Sequence, residues 1–293
     1  MTEILKALLY GILEGISEWL PISSTGHLIL LRELLPLDVA PTLGKRFADE
    51  YFEMFEVVIQ LGAILAVVVV FFDKLFPFSR KISVAEKRTS IALWGKICVA
   101  SIPAAFVGIV LDKLIERLSG KDIDGWIYTP ITVASTLIIY GILFILVEKK
   151  RRSDSKILTS DDVSFGSSAV IGAFQALSII PGTSRSGSTI LGARLLGVHP
   201  SAAAEFSFFM SIPAMLGASL VKSASFLSFV RENGVAIPTN AWTCLLVASA
   251  AAFAVSMITI KFLIGFVKRR GFAPFGVYRI ILGALVLCYF LTR

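Results

Sequence analysis

Glu14 and Glu18 stand four residues apart, and Ser23, Ser24, Thr25, Gly26 and His27 follow closely behind them. A second cluster, Pro181-Gly182-Thr183-Ser184-Arg185-Ser186-Gly187-Ser188-Thr189, supplies more hydroxyls, turn glycines and one guanidinium. Carboxylates at this spacing share one face of a helix. Beside a phosphate they would repel it, unless a hard cation such as Mg²⁺ or Ca²⁺ bridges carboxylate and phosphate oxygens. A hydroxyl near a carboxylate or imidazole base can attack phosphorus. The planar fork of Arg185 suits phosphate oxygens in pairs, and glycine-rich turns present N–H groups to an anion. Together these are the parts that phosphoryl transfer uses. Each has a plainer use: Glu14 and Glu18 can pack or snorkel, Ser and Thr cap helices, Arg185 can pair with a buried Glu, and a lone His is often a hydrogen-bond donor at a helix end.

The surroundings favour chemistry. Of 293 residues, 56% are hydrophobic and 17% charged, with mean hydropathy +0.81, too much apolar surface for one water-soluble core. Ionisable groups at membrane depth are expensive and mark functional sites by default. Six apolar runs are long enough to span ~30 Å of hydrocarbon: Tyr51 to Phe72, Ile91 to Leu111, Trp126 to Val147, Ala203 to Val221, Ala241 to Val267 and Pro274 to Leu291. The N-terminal stretch meets Glu14 and Glu18 without a small-residue cleavage site, so no cleavable signal is expected. Cys98, Cys244 and Cys288 are far apart and inside spans, which argues against a disulfide or zinc site.

The net charge of +7 has a topological explanation rather than a nucleic-acid partner. Basic residues gather in alternate connections: Lys74, Arg80, Lys81, Lys87 and Arg88, then Lys149, Lys150, Arg151, Arg152 and Lys156, then Lys268, Arg269 and Arg270. These are expected to face the cytoplasm, leaving segments 112–125 and 222–240 as external loops. Trp19, Trp94, Trp126 and Trp242 are read as interfacial aromatics near span ends.

Residues 4–36 and 166–199 remain. Each is an apolar stretch that breaks at Pro21 or Pro181 and resumes as a second short stretch, the pattern of a re-entrant helical hairpin. At an offset of 161 the two match: Gly11 with Gly172, Glu14 with Gln175, Ser17 with Ser178, Ser23 with Ser184, Gly26 with Gly187, Ile29 with Ile190 and Leu30 with Leu191. One hairpin plus three spans is an odd number of crossings, so the second copy starts on the opposite side. The expected fold is an all-α polytopic membrane protein, one integral domain over 1–293, built from two inverted-topology repeats, 1–150 and 163–293, joined by a basic cytoplasmic linker, 148–162. The two broken tips are expected to meet at one anion-binding cavity.

Both signatures, the doubled layout and the length resemble the bacterial undecaprenyl-diphosphate phosphatase family, known for bacitracin resistance. The first resembles E-G-x-x-E-F-L-P-x-S-S-T-G-H, with Trp19 in place of Phe, and the second matches P-G-x-S-R-S-G-x-T throughout. The Phe55-Glu56 to Gln60 segment and Glu205-Phe206 are also similar to family segments. The resemblance implies hydrolysis of a C55 polyprenyl diphosphate to the monophosphate carrier of peptidoglycan synthesis, at an outward-facing site in the bacterial inner membrane, with a divalent metal. It places the nucleophile at Ser24, with Glu18 or His27 taking its proton and Arg185 clamping phosphate. Glu14 and Glu18 would hold the metal, and Ser23, Thr25, Gly26, Thr183, Ser184, Ser186 and Gly187 would cradle the substrate phosphate. Metal-activated water is the alternative attacking group.

Two other classes share some features. Secondary transporters also combine inverted repeats with broken helices and midplane charges. Membrane lipid phosphatases with a His nucleophile have a P-S-G-H element superficially like Ser-Thr-Gly-His. The chain has only two His, and His199 adjoins Pro200, so that mechanism is poorly supported. Lipid chain length and homo-oligomerisation are left open. Glu56, Gln60, Arg194, His199, Glu205 and Arg279 are read as packing partners or snorkelling side chains.

Overall fold

A computed structural model describes residues 2–78, 83–119, 129–151 and 155–291. The described residues are helical apart from turns, loops and one isolated bridge between Ile157 and Val198. In chain order the α-helices are α1 (Glu3–Ser17), α2 (Ser24–Leu34), α3 (Gly44–Val58), α4 (Gln60–Val70), α5 (Phe72–Leu75), α6 (Val84–Ser119), α7 (Pro130–Arg151), α8 (Phe165–Ala176), α9 (Arg185–Leu195), α10 (Pro200–Glu232), α11 (Thr239–Arg270) and α12 (Ala273–Leu291). Six segments are long and apolar enough to cross a membrane: 41–70, which joins α3 to α4, and 84–108, 131–150, 200–232, 239–270 and 273–291. Large side chains such as Leu65, Ile91, Phe106, Leu220, Ile258 and Leu285 lie exposed on them, where lipid would cover them.

The apolar runs underestimate the helices. The first spanning segment starts at α3, whose opening turns carry Lys45, Arg46, Asp49, Glu50 and Glu53, and bends at Ile59 before α4. Segments 112–125 and 222–240 are not simple loops: α6 continues to Ser119 and α10 to Glu232, while residues 120–125 lie outside those described. Backbone hydrogen bonding carries a helix past the point where its side chains become polar, so hydropathy marks the apolar run and not the helix end. Trp126 and the start expected for the third span also lie outside the described residues. Trp19 is not interfacial. It is fully buried in the first tip, edge-on to Phe208 at 5.1 Å.

α1, α2, α8 and α9 are too short to span alone at 1.5 Å per residue. α1 folds back on α2: Lys6 Nζ donates to the Pro36 carbonyl at 2.7 Å and Tyr10 Oη to that of Leu35 at 3.2 Å. This pair packs beside the end of α10 and the start of α11, where Tyr10, Tyr51, Phe55, Phe226 and Ala241 form one apolar cluster. α8 and α9 pack together and gather the other end of the molecule. There Arg194 pairs with Glu148 of α7 at 2.6 Å, and Lys74 pairs with Glu205 at 2.5 Å and Asp161 at 3.2 Å. α1 lies along α11, α8 along α6, and α7 along α12. Small residues let these backbones touch: a Cβ at Gly11 would strike the Ala248 carbonyl, and one at Gly172 the Ala100 carbonyl.

Candidate active site

Both hairpins break in the same manner. Pro21 and Pro181 cannot donate a helical hydrogen bond, and the next helix begins at a serine held at positive φ, 74° at Ser23 and 67° at Ser184. These are the two non-glycine residues with positive φ among those described. Such backbone strain costs of order 1–3 kcal/mol and persists where its surroundings enforce it. Each serine hydroxyl caps its own helix, Ser23 Oγ accepting from the Gly26 N–H at 3.3 Å and Ser184 Oγ from that of Gly187 at 3.1 Å. Gly182, at φ 84°, packs so closely on α7 that a Cβ would meet Thr136 and the Val133 backbone.

The two tips meet. Ser186 Oγ donates to the Glu18 carbonyl at 3.1 Å, and Arg279 bonds three carbonyls, Pro21 at 3.1 Å, Gly182 at 2.8 Å and Thr183 at 3.0 Å. Arg279 is fully buried, with its guanidinium 5.5 Å from the Tyr140 ring. It is a structural partner and does not snorkel. Its signal in the sequence was a lone guanidinium within an apolar span, but which carbonyls it joins depended on the fold.

At the junction Ser24 Oγ donates to Glu18 Oε2 at 2.8 Å, and Arg185 Nη2 donates to Glu18 Oε1 at 3.0 Å. Arg185 Nη1 donates to the Ser207 carbonyl at 2.9 Å, and the Ser207 hydroxyl meets that of Thr189 at 2.6 Å. Ser207 is a site residue that the sequence reading missed, an ordinary serine inside a long helix. Hydroxyl, carboxylate and guanidinium thus stand in line: a nucleophile candidate, a base within reach, and a cation that orients the base. Glu14 is completely buried one turn earlier, and among the described residues no donor reaches either of its oxygens. Its electrostatic neighbours are Glu18, Glu56 and Arg185, and Glu18 offers it a donor only if a proton lies between the two carboxyls.

The remaining expected residues fall around this line. Ser184 Oγ lies 3.2 Å from Ser186 Oγ, Thr25 opens α2 beside Ser24, and Thr183 is buried with its hydroxyl unpartnered. The Gly26 and Gly187 N–H groups are taken by the caps. His27 turns away from Ser24: Nδ1 lies 2.7 Å from the Ser23 carbonyl and Nε2 2.7 Å from Tyr278 Oη. Glu205 pairs with Lys74, and His199 Nδ1 meets Ser201 Oγ at 2.8 Å. Among the described residues no group of three His, Cys, Asp or Glu is arranged to hold a metal ion. The two buried Glu14 oxygens, without a donor among the described residues, are of the type that would suit a hard cation.

Fold and site together define a polytopic helical membrane protein with a phosphoryl-transfer constellation where two broken helices meet. The sequence profile of the bacitracin resistance protein BacA matches residues 7–285, and the chain belongs to that family. It is 47% identical to the undecaprenyl-diphosphatase of Acetivibrio thermocellus over 293 residues, covering 100% of this chain and 99% of that protein. It is 45% identical to the undecaprenyl-diphosphatase of Enterococcus faecalis over 287 residues, covering 98% and 97%.

Proposed function

We propose that this protein hydrolyses undecaprenyl diphosphate to undecaprenyl phosphate and inorganic phosphate, recycling the lipid carrier for peptidoglycan synthesis. Full-length relatives named for that activity support the substrate. The observation that carries the mechanism is the line Ser24–Glu18–Arg185, in which one carboxylate accepts from the hydroxyl and the guanidinium together.

In this reading Ser24 Oγ attacks the terminal phosphorus as its proton passes to Glu18. The bond to the bridging oxygen breaks, and the lipid monophosphate leaves. Water then cleaves the phosphoserine. Arg185 exchanges Glu18 for phosphate oxygens and stabilises charge on the transferred group. Glu18 is the proton acceptor in preference to His27, whose ring nitrogens are engaged elsewhere. Glu14 and Glu18 would hold a Mg²⁺ or Ca²⁺ ion, which supplies charge neutralisation to the diphosphate. Ser23, Thr25, Gly26, Thr183, Ser184, Ser186 and Gly187 line the phosphate's surroundings.

We further read the fold as two inverted repeats, each a re-entrant hairpin and three spans, in the bacterial inner membrane with the site open to the outside. Three features support the inversion: matched strained serines at Ser23 and Ser184, the parallel pairings of α1 with α11 and α8 with α6, and hairpins gathered at opposite ends of the molecule. The test is phosphate release from a polyprenyl diphosphate by purified protein in detergent, with and without divalent metal. A transporter without phosphatase activity would release none.

A further inference from the structure

At the second tip the Ser184 carbonyl receives an ordinary helical bond from the Ser188 N–H at 2.9 Å. At the first tip the Ser23 carbonyl takes the His27 imidazole as well, with Nδ1 2.7 Å away. A carbonyl can only accept, so Nδ1 carries the hydrogen. Nε2 then faces Tyr278 Oη at 2.7 Å, and the two rings lie parallel within 7° at 5.7 Å. A phenol both donates and accepts, so it keeps this contact whether His27 is neutral or charged. Tyr278 precedes Arg279 on α12, and that Arg already clips both tips, so this turn of α12 is firmly placed.

We propose that Tyr278 is a positioning residue for the phosphatase reaction. Its hydroxyl and ring hold the His27 imidazole in place, and His27 in turn holds the Ser23 carbonyl at the strained turn from which Ser24 projects. The chain of contacts runs from Tyr278 to His27 to Ser23, and the neighbour of Ser23 is the nucleophile. The inference rests on Ser24 being that nucleophile. The second repeat has Ser188 where the first has His27, so no imidazole serves the Ser184 carbonyl in this way.

The test is Tyr278→Phe in the full-length protein, which removes the hydroxyl and keeps the stacked ring. Two readouts are needed. With only two His in the chain, ¹⁵N-histidine NMR with His199→Gln for assignment reports the His27 tautomer directly. We expect the Nδ1-protonated form in both proteins, fixed by the Ser23 carbonyl, and a downfield shift of the His27 Nε2 resonance in Tyr278→Phe, where the hydroxyl that donates to it is gone. We expect kcat to fall about tenfold, the scale of one hydrogen bond worth ~1.4 kcal/mol, with KM unchanged. His27→Gln combined with Tyr278→Phe should be no slower than His27→Gln alone, because the tyrosine acts through the histidine. An unchanged Nε2 resonance, an unchanged kcat, or losses that multiply in the double variant would each overturn the proposal. Full activity in Ser24→Ala would instead remove the nucleophile assignment, while the NMR arm would still decide whether the Tyr278 hydroxyl holds His27.

Discussion

Glu18 serves two partners, and the reaction must separate them. Its carboxylate takes the Ser24 hydroxyl on one oxygen and Arg185 on the other, with both charged side chains almost entirely out of solvent. In the proposed reaction, phosphate entering the site would compete for Arg185 and leave Glu18 free to accept a proton. Glu18→Gln keeps the shape and loses the base, so turnover is expected to fall at least about a hundredfold, as when a transition-state electrostatic contact is removed. Arg185→Lys should lose nearly as much as Arg185→Ala, since one ammonium cannot serve both Glu18 and the Ser207 carbonyl with the same fork. Near-native turnover in any of these would remove the site. Covalent attack predicts that Ser24→Ala is nearly inactive and that acid quench of a single turnover leaves terminal-phosphate label on Ser24. Substantial activity in Ser24→Ala, with metal dependence intact, would transfer the attack to water. Ser23→Ala should be milder in its chemistry, losing a cap worth ~1 kcal/mol.

The helices contribute by ending early. α1 and α8 stop before Pro-containing turns, and carbonyls of those two turns are gathered by Arg279 at the seam. Removing the guanidinium would strand three buried carbonyls, each carrying a desolvation penalty of ~1–3 kcal/mol. Arg279→Met should therefore lower the thermal unfolding midpoint in detergent and abolish activity together. Arg279→Lys should recover stability more than activity, since a single ammonium cannot span both tips with the same geometry. An Arg279→Met protein of native stability would show that the seam does not need the clip. The glycine contacts make a matched prediction: Gly11→Leu forces α1 off α11 and Gly172→Leu forces α8 off α6, and both are expected to destabilise by similar amounts.

Across the whole molecule, related positions of the two hairpins carry different chemistry. Ser24 and Arg185 occupy equivalent places after the strained serines, and Glu14 is matched by Gln175. One tip supplies carboxylates and the Ser24 hydroxyl while the other supplies the guanidinium, and they meet where the two tips touch. The ends of the molecule are held by separate ion pairs, Arg32 with Asp49 and Lys222 with Glu53 at one end, Lys74 with Glu205 and Arg194 with Glu148 at the other. Arg194 and Glu148 are buried, so Glu148→Ala should cost about 3–5 kcal/mol by leaving a charge uncompensated. Replacing both by apolar residues, Glu148→Leu with Arg194→Met, should cost much less. Equal losses would mean the pair is not what holds α7 to α9. The inverted arrangement predicts that single cysteines at Glu86 and Leu158 label only from the cytoplasm and one at Gly234 only from outside. External labelling at Leu158 would overturn it.

Much of this was legible in the chain because membrane solvation is a severe filter. Hydrophobic runs had to be spans, and Glu14, Glu18, Ser24 and Arg185 stood out because polar groups at depth require a reason. At the offset of 161, matched local sequences break their helices in the same way, each at a serine of positive φ. Other features depended on neighbours that no spacing encodes. Helices outran their apolar stretches because backbone bonds continue past the hydrocarbon. Trp19 became core because Phe208, far along the chain, covers it. Ser207 entered the site through its carbonyl, which every residue has. Arg279, Tyr278 and His27 acquired partners only when α12 was laid against both tips. Residue types and their periodicity settle what must be buried and where helices break. Which donor meets which acceptor across the seam is settled only by packing elements distant in sequence, where a guanidinium bonds whatever carbonyls the fold leaves open.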